Sequence, residues 1–138
     1  MKHRQSLLFR IRRYLAAACA VVWTAAFVAT HVPARRLPDL SVKDTTLHVI
    51  GYFFLASALL LTLWAHATRR HVRALLVLFI MAGYAALDEI TQPLVNRHAA
   101  LSDWVADVIG AAAAVIVCEL LLAIFSRRRP PVPRGTEP

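Results

Sequence analysis

The sequence predicts an all-α membrane protein, a four-helix transmembrane bundle with both termini cytoplasmic. Three observations carry that expectation. First, 59% of the 138 residues are hydrophobic and only 17% are charged, with a mean hydropathy of +0.56. A soluble domain of this size lacks the interior volume to hide so much apolar surface. Second, the apolar residues fall into four long runs separated by short polar segments. Third, the lysines and arginines are divided unequally between alternate segments, as membrane orientation requires.

The segment 1–13 is basic and carries no acid, and Tyr14–Val32 follows as 19 residues without formal charge. That length is close to the roughly 20 residues that span a bilayer, and it exceeds a typical signal-peptide core. It is therefore predicted to be an uncleaved first transmembrane helix, residues 14–32. The loop 33–46 holds two prolines, which stop the helix. The second run, Leu47–Ala65, predicts a helix over about 47–66, and HATRRHVR forms a short basic turn after it.

The third run, Ala74–Leu87, has only 14 apolar residues. At about 1.5 Å per residue it falls short of a hydrocarbon core of about 30 Å. The helix is therefore expected over about 73–92, carrying Asp88, Glu89 and Gln92 to the membrane edge before Pro93. The fourth helix is expected over about 104–125, with Ser102 or Asp103 capping its first turn. Residues 126–138 form a basic, proline-rich tail predicted to lack fixed structure. Glu119 is expected to reach Arg127–Arg129 along the membrane edge.

With four spans, the segments 1–13, 66–73 and 126–138 share one side and hold twelve of the sixteen lysines and arginines. The basic side is cytoplasmic, so the connection between the third and fourth helices faces outward. The same distribution speaks against nucleic-acid binding, which gathers basic groups on one polar face. Cys19 and Cys118 lie inside apolar runs as small buried residues, and no cofactor or metal-ligand spacing is present.

Leu87–Asp107 is the polar anomaly of the chain. Helical spacing gathers further groups toward it. Asp44 and His48 lie four apart at the start of the second helix, with Gly51 continuing the stripe. Glu89 and Gln92 lie three apart at the end of the third. Asp103 and Asp107 lie four apart at the start of the fourth, with Gly110 below them. Small residues beneath these groups allow close helix approach. Arg97 suits a clamp on phosphate or carboxylate. His48 suits a proton carrier, and His48 and Glu89 are the candidate acid–base pair. Glu89, Asp103 and Asp107 with His48 are candidate ligands for a divalent cation, though their spacing matches no tight metal motif. The structural alternative is that Arg97 neutralises Glu89 or Asp103 while His48 pairs with Asp44. Trp104 is expected to anchor the helix at the membrane interface.

Asp44, His48 and Tyr52 in DTTLHVIGY, Glu89 and Gln92 followed by Arg97, and Asp103, Asp107 and Gly110 in SDWVADVIG together form an ordered set. The set resembles the VanZ-like family of small bacterial membrane proteins. The resemblance covers roughly Asp44–Ala114, within a core of residues 44–125, and structural roles are expected for its Tyr52 and Gly110 and for Gly51 on the small-residue stripe of the second helix. Two positions depart from the family pattern. Thr45 stands where a lysine often follows the first aspartate. Val95–Asn96 stands where Pro-Gly commonly precedes the loop arginine, which predicts a differently shaped turn. The founding member of the family is associated with tolerance to the glycopeptide teicoplanin, so the resemblance implies a bacterial plasma-membrane protein concerned with the cell envelope.

Three functions are compatible with these residues. In the leading one, the outward polar cluster binds an anionic headgroup such as that of a lipid-linked cell-wall precursor, with Arg97 as the clamp. In the second, the same cluster catalyses acid–base or metal-assisted hydrolysis of a lipid-linked phosphate or peptide. In the third, the charges only tie the helices of a structural partner subunit together.

Overall fold

The computed structural model describes residues 2–32 and 43–127. The regular secondary structure of the described residues is helical, and four helices among them are long and apolar enough to cross a membrane. They are α1 (Lys2–Thr30), α2 (Asp44–Ala65), α3 (Arg70–Thr91) and α4 (Leu101–Arg127), with a short 3-10 turn, Gln92–Val95, after α3. The expected loop prolines and nearly all of the tail lie outside the described residues.

Each helix begins earlier than its apolar run. The basic segment before Tyr14 is itself helical from Lys2. The short third run is extended at both ends, by Arg70–Arg73 before it and by Asp88–Thr91 after it. Its 22 residues reach about 33 Å, enough to cross, and Asp88 and Glu89 lie on the helix itself. A 3-10 turn takes over at Gln92, next to Pro93, and Asn96 then adopts the left-handed conformation with φ 59°. Asn96 N–H donates to Pro93 O and Arg97 N–H to Gln92 O, both at 3.2 Å. This pair of bonds closes a helix end that glycine usually closes, and asparagine is the next residue to tolerate it. Asn96 thus supplies the left-handed residue of this turn.

Side-chain contacts set the register. α2 and α4 run parallel, with His48 beside Asp107 and Cys118 Sγ 3.5 Å from Ser57 Oγ. α3 runs antiparallel to α4, with Arg73 beside Glu119 and Trp104 Nε1 donating to Ala82 O at 3.1 Å. Trp104 thus ties α3 to α4 through its indole N–H. α1 packs mainly on α2, where Arg12 Nε donates to Ala65 O at 2.8 Å. The bundle is accordingly a three-helix core of α2, α3 and α4 with α1 laid alongside. Val22, Trp23 and Ala26 are the α1 residues that reach the core.

The core stacks Tyr52, Leu55, Ala56 and Leu60 of α2 on Val77, Met81 and Ala85 of α3 and Ala111, Ala114 and Val115 of α4. α2 and α4 share the most extensive interface. Gly110 makes that interface possible, because a Cβ there would overlap the Val49 carbonyl oxygen and lie 3.1 Å from Val49 Cα. Gly51 has no such role, since nothing lies within 4 Å of a Cβ built on it. Outside the core, large apolar side chains are exposed, Phe79 at 81% and Leu75 at 67% among them. Such a surface suits lipid contact and is unfavourable in water.

Candidate functional site

One end of the bundle gathers the close of α1, the start of α2, the close of α3 with its following turn, and the start of α4. Because the helices alternate in direction, this end collects nearly all the polar side chains singled out in the sequence. His48, Glu89, Gln92, Asp103 and Asp107 are buried there, at 8% exposure or less. Arg97 is partly covered, and Asp44 lies at the rim with 58% of its side chain exposed.

The partners differ from the simplest sequence expectation. His48 donates through Nδ1 to Asp107 Oδ1 at 2.9 Å, across the α2–α4 interface, rather than to Asp44 on its own helix. Side chains four apart on one helix share a face, but Asp44 sits one turn nearer the rim and turns toward the loop. There it meets Arg97, whose Nη2 lies 3.2 Å from Asp44 Oδ2 and 3.4 Å from Oδ1. Arg97 Nη1 also donates to Thr30 O at 3.4 Å. The guanidinium therefore neutralises neither Glu89 nor Asp103.

Glu89 instead accepts the backbone N–H of Ala100 at 2.7 Å, with Gln92 Nε2 3.5 Å away. That contact ties the end of α3 to the start of α4. Asp103 accepts the Thr45 hydroxyl at 3.1 Å and lies 3.5 Å from Ser102 Oγ. α4 starts at Leu101, so Ser102 and Asp103 fall inside its first turn and neither is its capping residue. Asp103 is nonetheless favoured by the helix dipole there. Thr45, in the place of the frequent lysine, supplies a neutral donor to the same aspartate.

Tyr52, one turn below His48, is 3% exposed, and its hydroxyl has no hydrogen-bonding partner among the described residues. The same holds for Asp107 Oδ2. Each ligating atom of His48, Glu89 and Asp107 lies within 4.8 Å of the others, and Asp44, His48 and Asp103 form a second such group. His48 is thus the centre of the cluster, with four carboxylates around it.

The VanZ/LLP1 family model matches residues 7–122 of the chain. The chain belongs to the VanZ/LLP1 family. No curated protein and no solved structure matches it. Within this VanZ/LLP1 protein, the seven positions that carry the resemblance as polar groups, from Asp44 to Asp107, meet at one end of the bundle through contacts across three helices.

Two sets of polar contacts escape sequence reasoning. Asp88, buried at 2%, accepts the Thr30 hydroxyl at 2.8 Å, and His31 Nε2 lies 3.0 Å from Thr91 Oγ1. These contacts join α1 to α3 beside the main cluster. The available signal was position: Thr30 and His31 close the first span at the same end as Asp88. The second set lies at the opposite end of the bundle. Glu119 is held by Arg73, with Nε to Oε1 at 2.7 Å and Nη2 to Oε2 at 2.8 Å. Arg70 Nε lies 3.3 Å from the same carboxylate. Arg73 sits at the depth of Glu119 and is itself buried at 6%, whereas the side chains of Arg127–Arg129, the partners expected from the sequence, lie outside the described residues.

The Arg73–Glu119 pair has the two parallel bonds of a strong guanidinium–carboxylate contact. Removing one partner strands a buried charge. Arg73→Met alone is expected to lower stability by about 3–5 kcal/mol, and Arg73→Met combined with Glu119→Leu to recover most of that loss. Thermal unfolding of the purified proteins in one detergent checks this, and equal melting of the two variants would contradict it.

Proposed function

We propose that this VanZ/LLP1 protein is a multi-pass protein of the bacterial plasma membrane, with both termini cytoplasmic, whose outward polar cluster binds the phosphate of a lipid-linked cell-envelope ligand. The observation that carries the reading is a contrast between two arginines. Arg73 is locked onto Glu119 at 2.7–2.8 Å. Arg97 is held only by contacts of 3.2–3.4 Å, to a backbone carbonyl and to the exposed Asp44. Charge-assisted bonds of guanidinium to oxygen run at about 2.7–2.9 Å when fully made. Arg97 thus keeps donor capacity for an incoming anion, while Asp44 can turn to solvent.

An amphipathic ligand also needs an apolar track. A groove between α2 and α4 is lined by Val49, Leu101, Val105, Ala106 and Ile109, and it opens beside Thr45 and Ser102. Those two hydroxyls bond Asp103, so the groove runs into the polar cluster. A headgroup at Arg97 with its chain in this groove satisfies both surfaces. Binding of a cell-wall precursor is also the route by which such a protein would bear on glycopeptide tolerance.

The His48–Asp107 pair favours a second reading, in which the bound phosphate is hydrolysed. Asp107 would orient the imidazole and stabilise its charged form while His48 moves the proton. Release of inorganic phosphate from a polyprenyl phosphate supports hydrolysis, and binding without turnover removes it.

Two outcomes test the main reading. In nanodiscs, the wild-type chain is expected to bind a polyprenyl phosphate, and Arg97→Ala to weaken binding about 10–100-fold with insertion unchanged. Undiminished binding by that variant, or none by the wild type, would overturn it. In intact cells, a cysteine placed by Asn96→Cys is expected to react with an impermeant maleimide, as the basic-side rule requires. Labelling only after the membrane is opened would reverse the orientation.

A further inference from the structure

Three buried side chains from three different helices meet around one point: His48 of α2, Glu89 of α3 and Asp107 of α4. One ligating atom of each lies within 4.8 Å of the other two. The neighbouring triad of Asp44, His48 and Asp103 is more committed. Asp44 is taken by Arg97, and Asp103 accepts the Thr45 hydroxyl. The buried triad is incompletely used by the protein. Asp107 spends Oδ1 on His48, yet Oδ2 has no hydrogen-bonding partner among the described residues although Asp107 is 0% exposed. Nearly all buried polar atoms in folded proteins have a partner, so this oxygen retains capacity for a further ligand.

We propose that His48, Glu89 and Asp107 bind a single divalent cation of the zinc or manganese class. One imidazole nitrogen with two carboxylates is a nitrogen–oxygen donor set, which suits these ions, whereas magnesium and calcium favour all-oxygen shells. The ion would satisfy Asp107 Oδ2 and offset two carboxylates that lie within membrane-length helices, where uncompensated charge is unfavourable. Three protein ligands also leave a coordination position open. Uptake is read with the metal alone, so its failure leaves phosphate binding by Arg97 standing, and the reverse holds as well.

The test uses the full chain purified in detergent and stripped with a chelator. Titration with Zn2+ and Mn2+ by calorimetry is expected to show one ion per chain. Glu89→Gln and His48→Gln should each weaken binding by more than the roughly 10–100-fold that loss of an outer-shell partner causes. Asp44→Asn should leave it unchanged. No stoichiometric uptake by the wild type, or uptake unaltered by Glu89→Gln and His48→Gln, overturns the site. So does a loss in Asp44→Asn as large as theirs, because the rim triad would then hold the ion. If the variants fail to fold, X-ray absorption of the zinc-loaded wild type decides. One imidazole with oxygen donors is expected, and two or more imidazoles, or sulfur, would overturn the site.

Discussion

The structure depends on one constraint: an ionisable group inside a membrane-length helix must find its partner within the protein. Lipid offers none, and isolated charge at that depth is strongly unfavourable. His48 and Asp107 meet this requirement across the interface of α2 and α4. They can do so because Gly110 lets α4 approach the Val49 backbone more closely than a side chain would allow. A small residue in the packing thus sets the distance on which the polar site relies. With α3 crossing back between them, α2 and α4 run parallel, and contacts of Glu89 at one end and Arg73 at the other fasten α3 to α4.

The two ends of the bundle solve the constraint differently. Arg73 and Glu119 are both buried and doubly bonded, which leaves the carboxylate fully engaged. At the other end, several carboxylates surround one histidine, and the nearby arginine makes long contacts to a rim aspartate. The first arrangement is suited to holding helices together. The second retains unused hydrogen-bonding capacity at Asp107 Oδ2, at the Tyr52 hydroxyl and on the Arg97 guanidinium. A bundle that needed charges only as ties would gain nothing from leaving that capacity unspent.

Much of the architecture is legible in the sequence, and so is the membership of the polar cluster. Length and composition of the four runs require helices, and the shortness of Ala74–Leu87 requires α3 to carry Asp88 and Glu89. Spacing places Asp44, His48, Glu89, Gln92, Arg97, Asp103 and Asp107 toward one end. What spacing cannot choose is the partner, since intra-helix neighbours compete with groups on other helices whose rotation is set by packing. His48 faces Asp107 rather than Asp44 for that reason, and Glu119 meets Arg73 of α3. The peripheral place of α1 is equally hidden, because a lipid-facing helix and a core-facing one are both apolar.

The pairing of His48 with Asp107 is the contact on which the composite site rests, and a double-mutant cycle tests it most directly. Unfolding free energies of the wild type, His48→Gln, Asp107→Asn and the double variant would be compared in one detergent. A coupling energy of about 1–3 kcal/mol is predicted, as expected for buried groups in direct contact. Additive losses, with a coupling near zero, would contradict the arrangement of the site around this pair.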